Sequence, residues 1–495
     1  MKFHNAQGKV WGLHPNVALW AYTGIVRPAF THGCLVWVNV TRYKGIQDKL
    51  RSFQNLGLRM LGFTRKSTPH RGLEVMTHTM PLHLHIRMLA SIEHVRTCKF
   101  MKYSHEEMKT NVQLRRGHRQ CCRDYLLAAG VKTTEVELDK IPMAQNWSQK
   151  YYVDLETMDP WNKKAGQPKI KQGISEWQRP PKSPGDPTEI EIYSDGSKNS
   201  ETQIAGTGLV VYKDNIEIFS KPFQIGDRTV FQSECYGLKQ AAKWLLHPDN
   251  RALATHAKVN IYTDNQGTLK ALDKPFINSK LVLETASLLN EAATWTQSKI
   301  TLNWVKGHAG HLGNEVADRI AAEATQFDNT VRDQPALAES VLKTTIKNKF
   351  TDAWDKEWHD YWHVNHHGRQ SHDFFPCLRP NFAYGIINST RAIYSLLAQL
   401  MTGHNYMNRH QYIINTNQKG YIPDPEDTPT CSLCEQGLET SRHILGECGA
   451  LNQLRFKHFG SYQLQPPFTS LKKNAIVSFL RESNIDALSF FLEAD

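Results

Sequence analysis

The chain has 495 residues and a formal net charge of +11, from 59 Lys and Arg against 48 Asp and Glu. Hydrophobic residues make up 40% and aromatic residues 10%, too much apolar content for a wholly disordered protein, and the length suits about three domains. Arg27, Pro28, Thr31, His32 and Gly33 interrupt the most apolar stretch, Val17–Val38, so no membrane span is expected and no membrane partner with it. The N-terminus lacks the compact apolar core of a signal peptide. Nine cysteines are few for this length and odd in number, which points to a reducing, intracellular setting; nucleus and cytoplasm are not distinguished. The basic surplus favours a polyanion partner, most simply nucleic acid.

Residues 1–155 read as a helical module. Trp11, Leu13, Val17, Trp20, Ile25 and Val26 give mixed helical periodicity, and Pro69 and Pro81 break it further on. Its basic run, Arg115, Arg116, His118 and Arg119, reads equally as a phosphate contact or a solvated face. Residues 156–187 hold prolines at 160, 168, 180, 181, 184 and 187 with Lys163, Lys164, Lys169 and Lys171. Such a stretch cannot sustain a long helix and is expected to be an extended basic linker that touches phosphates. From 188 to 327 the texture changes. EIEIYSDGS, IAGTGLVVYKD and NIEIFSKPF alternate as strands, and FQSECYGLKQAAKWLLH has helical spacing through Cys235, Leu238, Ala242 and Leu245. KVNIYTD is a strand, NQGTLKAL and SKLVLETASLLNEAATW are helices, KITLNWV is a strand and GNEVADRIAAEA a helix. The predicted order is βββαβααβα, an α/β fold with a mixed five-stranded sheet. Residues 328–420 return to helices, with Trp354, Trp358 and Trp362 on one stripe, and 421–495 form a loop-rich C-terminal module.

Four carboxylates fall at telling places in the βββαβααβα block. Asp195 follows the first strand, Glu234 lies in the first turn of the first helix, Asp264 ends the fourth strand and Asp318 sits on the last helix. Singly, each reads as a turn, cap or solvated acid. Together at one sheet edge they would repel one another unless cations neutralise them, and an oxygen-rich acidic site suits Mg²⁺ or Mn²⁺. Two such ions about 4 Å apart can clamp both oxygens of a phosphodiester displacement.

The motifs DGS at 195–197, SE at 233–234, TDNQ at 263–266 and WVKGHAGHLGNEVAD at 304–318 resemble a type 1 ribonuclease H domain. That resemblance implies a ribonuclease H-like fold and Mg²⁺- or Mn²⁺-dependent cleavage, with two ions, of the RNA strand of RNA–DNA hybrids. It implies metal-binding roles for Asp195, Glu234, Asp264 and Asp318, and proton transfer and product release for His308. It places Asn314, and with it Gly196, Ser197 and Asn265, near the substrate.

The spacing Cys431-x2-Cys434-x8-His443-x4-Cys448 fits a closed tetrahedral Zn²⁺ site. A tail of this kind after such a domain resembles the end of a jockey-like non-LTR retrotransposon polyprotein, and GKVWGLHPNVALWAYTGIVRPAFTHGCLVWV with DKLRSFQNLGLRMLGFTRKSTP resembles the region after its reverse transcriptase palm. Retrotransposon RNA and a reverse transcriptase are the further partners this implies. No Tyr/Phe-x-Asp-Asp pair precedes Asp195, so polymerase activity is not expected. The alternatives to a nuclease are a catalytically inactive nucleic-acid-binding remnant and a subunit of a reverse transcriptase assembly. His359-Asp-Tyr-Trp-His363 imitates a zinc-protease helix with Asp in place of the general-base Glu, and a packing helix is the expectation there.

Overall fold

A computed structural model describes residues 11–98, 117–129, 138–145, 149–155, 189–326, 331, 333–364, 368–418, 421 and 428–485. The expected linker at 156–187, with its four lysines, lies outside the described residues, as do Arg115 and Arg116. The chain forms two compact units, one from Thr134–Thr344 and one joining Met1–Thr133 to Thr345–Asp495.

The 134–344 unit carries β1 (Ala144–Gln145), β2 (Tyr152–Asp154), β3 (Glu189–Lys198), β4 (Ala205–Lys213), β5 (Ile216–Gly226), β6 (Lys258–Thr263), β7 (Phe276–Ile277) and β8 (Lys299–Trp304). Its main helices are α1 (Val230–Leu246), α2 (Gln266–Leu272), α3 (Lys280–Thr296) and α4 (Leu312–Ala324). The sheet order is β2-β8-β6-β3-β4-β5. β2, β8, β6 and β3 run parallel, and β3, β4 and β5 form an antiparallel meander. The predicted five strands are all present. The sheet has a sixth, however, because Tyr152–Asp154, placed by sequence in a helical module, pairs in parallel with Thr301–Asn303. β1 pairs with β7, so two parts of the 138–155 segment are built into this unit.

Local sequence explains the elements. Asp214 and Asn215 both take positive φ, 49° and 70°, and close β4 onto β5 in the two-residue turn whose twist suits a hairpin. Thr229 and Gln232 form a capping box at the start of α1. Asn265 and Ser279 cap α2 and α3. Along β4 the period of two separates two cores. Leu209 and Val211 join Ile192, Ile261 and Leu302 under α1 and α3, while Val210 packs with Ala317 and Ile320 of α4. Gly206 and Gly208 leave room for α4 to lie on the strand. A Cβ on Gly206 would sit 2.7 Å from the Ala324 Cβ, and one on Gly208 would collide with the Ala317 carbonyl.

The other unit is mainly helical where described, with an isolated antiparallel bridge between Thr430 and Leu438. The modules expected at 1–155, 328–420 and 421–495 do not match its contact boundaries, because the N- and C-terminal helices are tied together. The Phe63 amide donates to Ser395 Oγ at 2.8 Å, Arg391 to the Met60 carbonyl at 2.8 Å, and Gln399 to the Phe63 carbonyl at 3.2 Å. Arg51 and His83 both donate to the Glu357 carboxylate. Burial alone would raise Glu357, but the His83 hydrogen bond and the charges of His83, Arg51 and Arg71 hold it at about 2. Helices at His70–Met76 and Leu82–Cys98 start right after Pro69 and Pro81, where a proline costs no hydrogen bond. Trp354 and Trp358 of the long helix Glu339–His363 are buried.

The close seating of α4 on β4 gives a direct test. Gly208→Ala should destabilise the 134–344 unit by roughly 1–3 kcal/mol, the usual cost of overpacking. Urea unfolding should show a lower midpoint at unchanged slope; an unchanged midpoint would show that α4 does not rest on this strand.

Candidate active site

Asp195 lies in β3 opposite Gly208 of β4. Glu234 lies one turn into α1, and Asp264 follows the last residue of β6. One carboxylate oxygen from each falls within 4.8 Å of the others. Asp195 and Glu234 are buried, at 5% and 3% exposure, while Asp318 on α4 stands at the open side of the group. The approach depends on missing side chains. A Cβ on Gly196 would lie 2.6 Å from the Glu234 amide nitrogen, and one on Gly307 would lie 2.5 Å from Asp264 Oδ2.

The electrostatics follow from crowding. Burial, then the charges of Asp264 and Asp318, raise Asp195 to about 8. Burial and the charges of Asp195 and Asp264 push Glu234 well above the usual carboxylate range. Burial and Asp318 also raise Asp264, against the lowering effect of His308. Among the described residues no Lys or Arg pairs with Asp195, Glu234 or Asp264. Three clustered acceptor-only ligands without a neutralising side chain fit a hard divalent cation with oxygen preference.

His308 sits beside Asp318, with Nδ1 3.8 Å from Oδ2, and its side chain is 84% exposed. Its φ is 52° and Gly310 has φ 83°, so the loop before α4 turns through left-handed backbone to present this ring. The four residues expected near substrate differ in their surroundings. The Gly196 amide hydrogen-bonds toward the Asp195 and Glu234 carboxylates. Ser197 lines an open surface groove with Lys198, Asn199 and Thr325. Asn265 Oδ1 accepts the Thr268 amide and caps α2. Asn314 is buried in the first turn of α4, and its Oδ1 has no partner among the described residues.

Two further residues hold the group and were not singled out from sequence. Thr263 Oγ1 donates to Glu234 Oε2 at 3.2 Å and accepts the Asn265 amide at 3.2 Å. Trp304 Nε1 donates to the Asp264 carbonyl at 2.8 Å. Both lie inside the TDNQ and WVKGHAG motifs, but nothing in a motif shows a hydrogen bond to a residue 29 or 40 positions away.

A second group gathers Cys431, Cys434, His443 and Cys448, again with ligand atoms within 4.8 Å of one another. Cys431 Sγ and Cys448 Sγ are 3.9 Å apart, and Cys434 Sγ is 3.2 Å from His443 Nε2. The other ring nitrogen, Nδ1, lies 3.8 Å from Glu447 Oε2, the carboxylate–imidazole arrangement that orients metal-binding histidines. Buried Arg455 donates to the carbonyls of Leu445 and Cys448 and pins the loop. His359 and His363 belong to neither group; their rings stack at 4.0 Å on a helix whose Trp358 donates to the Phe375 carbonyl.

A profile of the RNase H family matches residues 187–326. A ribonuclease H of Cupriavidus pinatubonensis (strain JMP 134 / LMG 1197) is 31% identical over 145 residues, which is 27% of this chain and 92% of that protein. A ribonuclease H of Pseudomonas putida (strain W619) is 29% identical over 142 residues, 27% of this chain and 90% of that one. The crystal structure of RNase H1 from the halophilic archaeon Halobacterium salinarum NRC-1 aligns at 21% identity and TM-score 0.23, over 28% of this chain and 98% of that one. Through residues 187–326 the chain belongs to the ribonuclease H family.

The raised Asp195 carboxyl has a stability consequence. Its folded value of about 8 lies above the ordinary 3.8, so the folded state binds more protons across that window and the metal-free protein loses stability as pH rises through it. In EDTA, Asp195→Asn should therefore melt higher than wild type at pH 8, and the gap should shrink toward pH 5. Equal melting temperatures at both pH values would contradict the crowding.

Proposed function

We propose that the 187–326 segment hydrolyses the RNA strand of RNA–DNA hybrids with Mg²⁺ or Mn²⁺. The observation that carries this is the convergence of Asp195, Glu234 and Asp264 within 4.8 Å in a chain of the ribonuclease H family. Two bound cations would supply an activated water and stabilise the departing oxygen. Asp195, Glu234 and Asp264 would hold these cations, with Asp195 buried between the other two acids, and Asp318 would complete the set on the exposed side. His308, exposed and beside Asp318, relays a proton and helps release product. Ser197 and Asn314 lie toward the substrate, and contacts to the 2′-hydroxyl distinguish RNA from DNA.

The second metal group is read as a structural Zn²⁺ site. Three thiolates and one imidazole are a closed set with no open position for chemistry. Its place after a ribonuclease H segment supports a jockey-like non-LTR retrotransposon polyprotein as the source of the chain, with retrotransposon RNA and a reverse transcriptase as partners.

Purified full-length chain should cut the RNA of an end-labelled hybrid in Mg²⁺ or Mn²⁺, stop in EDTA and spare duplex DNA. Asp195→Asn should lower the rate by several orders of magnitude, and His308→Ala by about 10- to 100-fold. Folded wild type that binds hybrid and never cuts it would establish the binding-remnant alternative instead.

Metal analysis after purification without chelator should find one zinc per chain. Cys434→Ser should lose it and loosen the C-terminal region to protease, because metal binding there contributes folding energy. Zinc-free, protease-resistant wild type would refute the site.

A further inference from the structure

The matched family segment covers 187–326, but the compact unit around it covers Thr134–Thr344. The additions on each side meet. Leu138 and Leu337 form a parallel bridge, and the Asp139 amide donates to the Leu337 carbonyl at 2.9 Å. This clasp grips α1. Arg228 Nε donates to the Pro335 carbonyl at 2.7 Å, and Gln232 Nε2 donates to the Ala336 carbonyl at 2.7 Å and to Asp139 Oδ2 at 3.4 Å. The Tyr236 hydroxyl donates to Asp333 Oδ1 at 2.7 Å, and the Lys243 ammonium pairs with the same carboxylate. Asp139 also accepts the Leu281 amide at 3.0 Å and the Ser279 hydroxyl at 2.8 Å, so the clasp fixes the start of α3 as well.

Gln232 and Tyr236 stand two residues either side of Glu234. At 3.6 residues per turn both project about 160° away from it. The clasp therefore holds from behind the turn of helix whose front carries Glu234. Glu234 is 3% exposed and faces Asp195 and Asp264, whose charges oppose its own. A rotation of that turn would relieve the repulsion, and the back-face hydrogen bonds resist it.

We infer that Asp333 and Asp139, outside the family segment, are positioning residues that keep Glu234 in the metal-binding carboxylate group. This inference rests on the proposed metal-dependent function of that group. Neither residue touches substrate or the reacting atoms; each acts through α1.

The test measures Mn²⁺ binding to the full-length chain by the loss of its free-ion electron paramagnetic resonance signal, together with Mg²⁺ titration of hybrid cleavage. Asp333→Ala and Tyr236→Phe should each weaken Mn²⁺ binding and raise the half-saturating Mg²⁺ concentration by about 3- to 10-fold. That is less than the roughly 10- to 100-fold typical of a residue bonded to the ligand itself. Asp333→Asn keeps an acceptor for the Tyr236 hydroxyl and should restore most of the loss, while KM for hybrid stays near wild type. Tyr236→Phe deletes one hydroxyl, so it keeps the test available if Asp333→Ala fails to fold. Metal dependence equal to wild type in folded Tyr236→Phe, or a lowered melting temperature with unchanged Mn²⁺ binding, would overturn the inference. Wild type that neither binds Mn²⁺ nor cleaves would instead overturn the proposed function on which it rests.

Discussion

Mutual repulsion among buried acids is the constraint on which the 134–344 unit is built. Asp195, Glu234 and Asp264 come from three separate elements, yet their carboxylates meet within 4.8 Å, the first two buried and the third partly so. Asp264 raises the proton affinity of Asp195, and both raise that of Glu234. An isolated strand or helix would swing such groups apart, so the cluster exists only because the surrounding fold is stiff enough to hold it. A divalent cation reverses the sign of the interaction and turns the cost of assembly into affinity.

The stiffness has identifiable sources. The β6 and β8 backbones pair in parallel up to Thr263 and Trp304, and their side chains then fasten the site: Thr263 to Glu234, Trp304 to the Asp264 carbonyl. Glycines at 196, 206, 208 and 307 let elements approach at distances that no side chain would tolerate. α1 is held on its Glu234 face by the sheet and on its back by Asp139, Asp333 and the Ala336 carbonyl. On the Asp318 and His308 side the group is open, with those side chains 41% and 84% exposed.

Much of this was legible in the sequence, for physical reasons. The five strands and four main helices of 189–326 have strong periodicity and well-marked caps and turns, so their bounds fell within a residue or two of the structure, except that β5 runs on three residues past Phe223 to Gly226. The carboxylates were readable because each sits inside a short motif on its own element, although Asp195 lies within β3 and not after it, and Asp318 lies mid-helix. The gathering of Cys431, Cys434, His443 and Cys448 was readable because their spacing is local. What escaped was long-range. Tyr152–Asp154 is three residues with no period to read, and it becomes a strand only because β8 offers an open edge. Asp139 and Asp333 carry no local signal; their roles exist only once α1 and α3 have packed. The joining of N- and C-terminal helices into one unit depends on pairs such as Arg51 with Glu357, separated by some three hundred residues.

On this reading Asp195, Glu234 and Asp264 are one cation site and not three separate structural carboxylates. The most direct measurement is the stoichiometry of Mn²⁺ bound by full-length protein with a non-cleavable hybrid, in wild type and in Asp195→Asn. Two ions per chain beyond any held by the cysteine group, both lost together on that single substitution, is the result this account predicts. Mn²⁺ binding that is absent in wild type, or unchanged by Asp195→Asn, would contradict it.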